Sequence, residues 1–367
     1  MSDFTRQQQT AINSSGNLLV VAGAGTGKTR TLVGRCLRLV AEQHVSLESI
    51  LMVTFTEAAA AEMRGRLRDK LRELQSAKPD DDHLAQQLAL LDTARISTLH
   101  SFCLQLAREH FHELGLDPQF SILDEQQTRP LQREALDELL EKHYVGTDAE
   151  SRAVQELIRA VGRGSDHVIR QLVLELHAYA QSFPDPERWL EGQRKDFEQP
   201  DPVEWRALFL EAVNAWRGDW IEGLRLADGK VPAVKLCLSA LEQLPAGSTV
   251  EDAAAALWAV VQANADDANW PRGTKGAVRD PLKEFFADAE FLASLLPDEQ
   301  GNDPLAQDWE WARHHLIALV GLTREFTSDF AARKRELGGV DFADLEQCAL
   351  RLLREPDTGA PTATTNA

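Results

Sequence analysis

Leu18-Leu19-Val20-Val21-Ala22-Gly23-Ala24-Gly25-Thr26-Gly27-Lys28-Thr29 is the stretch on which the fold turns. Its first four residues form a continuous apolar run, as expected of a strand covered on both faces. From Lys28 a helical pattern runs to about His44. Between the two, small residues let successive backbone N–H groups curl around an anion, and the following helix adds its positive N-terminus. This is the pattern of a phosphate-binding loop, with Ala22 at the first position in place of Gly. In such a loop Lys28 reaches the β- and γ-phosphates of a nucleotide, and the Thr29 hydroxyl ligates Mg²⁺. The plain alternative is a glycine-rich turn with no ligand. A strand before it and a helix after it favour the phosphate loop.

Outward from this stretch, short apolar runs alternate with amphipathic helices. Ile50–Thr54 is a second strand candidate, followed by a helix from about Glu57 to Gln75. Arg95–Thr98 is a third, followed by Leu99, Phe102, Leu106, His110 and Leu114 at helical spacing as far as Gly115. Such alternation predicts a parallel sheet covered by helices. Beyond Pro118 the character changes: apolar residues recur at three and four, and all eight tryptophans fall between Trp189 and Trp311. A mainly helical region is expected there, broken by loops at 184–186, 200–202 and 269–275. The tail from Pro356 to Ala367, rich in Thr, Ala and Pro, is expected to be disordered.

The 367 residues carry a net charge of −19, unevenly spread. Residues 1–120 hold 13 basic and 14 acidic side chains, against 26 and 44 in the remainder. A uniformly basic nucleic-acid binder is excluded, but a channel with local basic groups is not. Cys36, Cys103, Cys237 and Cys348 stand far apart without a CxxC, which implies neither zinc nor a disulfide framework. The N-terminus has no secretory pattern, and the longest apolar runs fall well short of the ~20 residues that span a bilayer. A cytoplasmic protein without a membrane partner is expected.

Three further segments narrow the choice. Phe4–Ile12 precedes the first strand, Thr54-Phe55-Thr56-Glu57-Ala58-Ala59-Ala60-Ala61-Glu62-Met63-Arg64 follows the second, and Ile96–Cys103 contains Thr98-Leu99-His100-Ser101. In order and spacing, these and the loop resemble the Q motif and motifs I, Ia and Ib of the UvrD-like superfamily 1 DNA helicases. The resemblance implies a RecA-like P-loop core that uses ATP and Mg²⁺. It assigns Gln8 to the adenine edge, and residues 22–30 (Ala22, Gly23, Ala24, Gly25, Thr26, Gly27, Lys28, Thr29 and Arg30) to the nucleotide. It places Thr54, Phe55, Thr56 and His100 toward single-stranded DNA, where hydroxyls meet phosphate and an aromatic ring stacks on a base. Each has a bland reading: a surface Gln, a buried strand end, a structural His. Arg64, Arg66, Arg68, Lys70 and Arg72 read as a solvated helix face, with at most one or two near a DNA backbone.

Leu114–Glu125 looks like the linker into this family's helical insertion. Ser182–Leu190, the alanine-rich Glu57–Ala61 and Val340–Glu346 resemble the AddA/RecB helicase/nuclease branch, which implies DNA ends as substrate and, as partner, a second subunit. Hydrolysis in the family needs an acidic Asp-Glu…Gln-Asp motif. Asp124-Glu125 imitates it but sits where the insertion begins; Asp137-Glu138 lies in a helical pattern and Asp298-Glu299 in a loop. The expectation is an N-terminal fragment that ends before the acidic motif and the second core domain, and is inactive alone. Its α/β core is incomplete (1–117), followed by a helical insertion (118–340) and a return segment with the tail (341–367). The rivals are a non-catalytic module binding ATP or single-stranded DNA, and an unrelated P-loop ATPase or kinase.

Overall fold

Met52, Val53 and Thr54 lie in parallel register against Ile96, Ser97 and Thr98, and helices are laid around this short ladder. A computed structural model describes residues 4–227, 229–245, 247–298, 300–355 and 358–366. In chain order the elements begin with α1 (Arg6–Asn13), α2 (Lys28–Gln43), β1 (Met52–Thr54), α3 (Glu57–Ala77), α4 (Asp82–Leu90) and β2 (Ile96–Thr98). They continue with α5 (Leu99–Glu109), α6 (Phe111–Leu114), β3 (Ser121–Ile122), α7 (Glu125–Val145), α8 (Ala149–Ala160), α9 (His167–Ala180) and α10 (Pro186–Glu198). The remainder are α11 (Val203–Leu226), α12 (Pro232–Gln243), α13 (Val250–Ala265), α14 (Lys283–Ser294), α15 (Pro304–Glu336), β4 (Gly339–Val340) and α16 (Phe342–Leu353). The chain divides into two compact units, 1–132 with 331–367, and 133–330. The borders expected from sequence were 117/118 and 340/341.

In the first unit, α2, α3 and α4 bury Val33, Val40, Leu67, Leu71 and Leu84 together with Met52 and Ile96 of the ladder. A second parallel pair, Ser121↔Gly339 and Ile122↔Val340, joins β3 to β4 across more than two hundred residues. A Cβ at Gly339 would stand 2.6 Å from the Leu123 side chain, so a larger residue there would have to push that buried leucine aside. Under this pair α5 and α16 share a core of Cys103, Leu106, Phe120, Leu345 and Leu352. The second unit is helical. Its largest core draws Val213 and Trp216 from α11, Val234 and Cys237 from α12, Leu257 and Val260 from α13, and Phe285 from α14.

Two expectations differ from the structure. Leu18–Val21 has no regular secondary structure and, among the described residues, belongs to no ladder; Leu19 and Val21 are 87% and 89% exposed. A strand's backbone groups need a neighbouring strand, and among the described residues β1 pairs with β2 alone. The run is therefore apolar without being buried. The tail also departs from disorder: Arg354 bridges Pro361, Thr362 N–H donates to Leu353 O at 3.1 Å, and residues 363–366 form a 3₁₀ turn. Pro356, Asp357 and Ala367 lie outside the described residues, as do Met1–Asp3 and Glu299. Among the described residues no helix is long and apolar enough to cross a membrane.

Candidate nucleotide-binding site

The loop between Val21 and α2 turns through two left-handed glycines, Gly25 (φ 75°) and Gly27 (φ 85°). Side chains rarely adopt this conformation, which accounts for glycine at both positions. Gly27 is the N-cap of α2, and no side chain caps that helix. Gly27 brings no side chain to that helix end, where the helix dipole favours negative charge. Thr26 Oγ1 braces the turn by donating to Gly23 O at 2.8 Å.

Lys28 opens α2 and folds back over the loop, its Nζ donating to Ala22 O at 2.7 Å and Gly23 O at 2.9 Å. An anion seated in the loop offers the same ammonium a charge-assisted partner. Gln8 reaches the loop from α1. Its amide donates to Thr26 O at 3.0 Å and its Oε1 accepts from Thr5 N–H at 2.9 Å, while Thr5 Oγ1 accepts from Gln8 N–H at 3.3 Å. This reciprocal cap fixes the start of α1 and aims Gln8 at the turn. Arg30 lies 4.8 Å from the centre of the Phe4 ring.

Two cavities meet at Lys28. One, of about 610 Å³, is lined by Thr5, Gln7, Gln8, Ala22, Thr26 and Lys28 among others. The other, of about 530 Å³, brings Lys28 and Thr29 together with Thr54 of β1 and Arg35 of α2. Both are large enough for a small-molecule ligand. Mg²⁺ keeps most of its waters and takes few protein oxygens. A single hydroxyl, that of Thr29 beside the loop, fits a Mg²⁺ arriving with a nucleotide. Among the described residues no group of three or more His, Cys, Asp or Glu is placed to hold a metal. Asp124 is engaged elsewhere: its Oδ1 accepts from Gln127 N–H at 2.9 Å and Gln127 Oε1 accepts from Asp124 N–H at 3.0 Å, starting α7. Glu125 pairs with Arg129.

At the end of β1, Thr54 is half-buried, while Phe55 stands wholly exposed. The buried-strand-end alternative therefore fails for Phe55. Thr56 caps α3, its Oγ1 accepting from Ala59 N–H at 3.2 Å. His100, in the first turn of α5, has Nε2 3.4 Å from Glu346 and its ring edge-on to Phe342 at 4.8 Å. The basic face of α3 is largely held by local partners: Arg64 donates to Ile96 O at 2.8 Å, Arg66 pairs with Glu62, Arg68 with Asp92 and Lys70 with Glu73.

One arrangement here escaped the sequence reading. Glu57 Oε1 accepts from Ser101 Oγ at 2.6 Å and from Thr98 Oγ1 at 2.9 Å. These bonds, Ser101's foremost, hold the Glu57 carboxyl below the usual carboxylate range. Thr98 three residues before Ser101 is a readable cap signal; its tie to a residue 41 positions upstream is not.

A family profile described as the UvrD/REP helicase N-terminal domain matches residues 4–365. The chain is 34% identical over 380 residues to an ATP-dependent helicase/nuclease subunit of Pelotomaculum thermopropionicum, covering 96% of this chain and 30% of that protein. It is 32% identical over 388 residues to the protein of the same name in Lachnoclostridium phytofermentans, covering 98% and 28%. For that of Bacillus cytotoxicus the figures are 30% over 378 residues, covering 96% and 30%. The chain therefore spans about 30% of the length of these curated relatives.

Proposed function

The chain belongs to the UvrD/REP helicase N-terminal domain family, and we propose that it is the ATP-binding portion of an ATP-dependent DNA helicase of the helicase/nuclease (AddA) type. In this reading the loop from Ala22 to Thr29 cradles the phosphates of ATP, Lys28 neutralises the β- and γ-phosphates, and Thr29 ligates Mg²⁺. Gln8 exchanges its bond to Thr26 for the adenine edge, and Arg30 lies on the same nucleotide. Thr54, Phe55, Thr56 and His100 face single-stranded DNA. The longer protein moves 3′ to 5′ along one strand from duplex ends, beside a second subunit, in cytoplasmic DNA repair and recombination.

The observation that carries the reading is the convergence of Gln8, Thr26 and Lys28 on one cavity beside the uncapped start of α2. That arrangement suits an anion with a polar, planar appendage. Calorimetry of ATP with Mg²⁺ tests it. Replacing Lys28 by Ala removes a charge-assisted bond of about 1.5–3 kcal/mol, so affinity should fall roughly 10- to 150-fold with no change in thermal unfolding. The loop lysine is exposed and supports no core. Equal binding by both proteins would reject the site. Turnover of the 367-residue chain with single-stranded DNA is expected to match the Lys28→Ala background, since Asp124 and Glu125 are engaged in starting α7.

A further inference from the structure

We propose that Glu57 is a positioning residue: its carboxylate locks the turn after β1 to the turn after β2, so that Phe55 and His100 are presented to single-stranded DNA as one surface. The proposal rests on the reading of Phe55 and His100 as DNA-facing.

The main-chain ladder stops where this lock begins. Thr54↔Thr98 is the last register pair of β1 and β2; β2 runs straight into α5, and Phe55 and Thr56 lead from β1 into α3. Past that pair, backbone hydrogen bonds no longer set the spacing of the two turns. Glu57 Oε1 bridges them by accepting from both Thr98 Oγ1 and Ser101 Oγ. The Thr98 hydroxyl is at once a donor to Glu57 and the acceptor for Ser101 N–H at 3.2 Å. A hydroxyl has one proton, and the Thr98 hydroxyl faces both Glu57 Oε1 and Ser101 Oγ at 2.9 Å, so whichever of the two takes that proton, it is unavailable to a phosphate, as is the proton that Ser101 gives Glu57. These two hydroxyls therefore hold the surface rather than contact the ligand. Arg64, two turns further along α3, adds a second tie through Ile96 O at 2.8 Å. From the opposite side, Glu346 and Phe342 of α16 hold the His100 ring. Phe55 has no such packing and is wholly exposed. Its position depends on the residues on either side of it, Thr54 in the ladder and Glu57 in the lock.

A carboxylate beside a DNA path also repels phosphate, and the neutral isostere separates that charge from the lock. Glu57→Gln keeps the accepting oxygen; Glu57→Ala removes it while remaining a good helix former at an exposed site. Two measurements are made on the full chain. Hydrogen exchange of segments 54–60 and 97–103 should quicken at least about fivefold in Glu57→Ala and stay at the wild-type rate in Glu57→Gln. Anisotropy of a fluorescein-labelled oligothymidylate should show about tenfold weaker binding for Glu57→Ala, and wild-type or tighter binding for Glu57→Gln. In Phe55→Ala, Glu57→Ala should cost no more than about twofold further, because it acts through the ring. Unchanged exchange in Glu57→Ala overturns the lock whether or not DNA binds. Faster exchange with unchanged DNA affinity, while Phe55→Ala alone weakens binding, overturns the positioning role and leaves the DNA reading standing. Equal oligothymidylate binding by wild type, Phe55→Ala and Glu57→Ala rejects the DNA reading, and the positioning role with it.

Discussion

Leu18–Val21 in the first unit and the Trp216 neighbourhood in the second are both apolar, yet their fates are opposite. Trp216 is buried, lies flat on Phe285 with ring centres 5.1 Å apart, and donates its indole N–H to Phe285 O at 3.3 Å. Leu19 and Val21 face outward, with no strand beside them among the described residues. The difference is where each element finds its hydrogen-bond partners. A helix satisfies its backbone internally, so α11 to α14 need from one another only apolar faces, and all four lie within about a hundred residues of sequence. An extended segment needs another segment at ladder distance before its side chains can be covered. Apolar character thus predicts burial for a helix face, but for a strand only when its neighbour is present.

The largest expected effect tests whether the helical unit stands on its own core. Trp216→Ala removes a buried indole and should cost about 3–5 kcal/mol in chemical unfolding. ATP affinity at the loop should be unchanged, because Trp216 belongs to the other compact unit. A parallel loss of ATP affinity would break the comparison, by showing that the units are coupled.

The same distinction explains what could be read from sequence. The helix expected from Lys28 to about His44 is observed as Lys28–Gln43, and that from Glu57 to about Gln75 as Glu57–Ala77, because periodicity and caps are local signals. The strand pair β1–β2 was legible as two runs of a parallel sheet, although not its register. The loop was legible residue by residue, since each small residue and Lys28 has a separate physical reason to be there. Its companions were not. That Lys28 rests on Ala22 O and Gln8 on Thr26 O depends on how α1 packs beside α2. The Glu57 lock depends on a register no spacing rule encodes. The tail misled because composition counts residues without seeing that Thr362 finds backbone partners at the end of α16.

A smaller effect sharpens the exposed half of the comparison. If Leu19 is as open as the structure shows, Leu19→Lys should change unfolding stability by less than about 0.5 kcal/mol. It should also lower self-association in light scattering, because a charge on an exposed apolar segment discourages association. A loss of about 2 kcal/mol would mean that the segment is covered in solution.

The smallest effect concerns how the helical unit begins its helices. α2 has no side-chain cap, whereas α8 starts at Asp148, whose Oδ1 accepts from Ser151 N–H at 2.9 Å and whose Oδ2 accepts from Ser151 Oγ at 2.7 Å. These bonds, the backbone one foremost, lower the Asp148 carboxyl from 3.8 to about 2. A carboxyl whose folded value is depressed binds its proton more readily when unfolded, so it stabilises the fold above its unfolded value. That contribution is complete above about pH 4 and fades as pH falls toward about 2, where the folded group also protonates. Asp148→Asn keeps an accepting oxygen at the N-cap, where Asn serves nearly as well as Asp, and removes the charge. Urea midpoints measured across this range should therefore converge for the two proteins at the acid end and separate as pH rises, wild type being the more stable. Parallel midpoints would show that the Asp148 charge adds nothing to the cap beyond the accepting oxygen that Asn also offers.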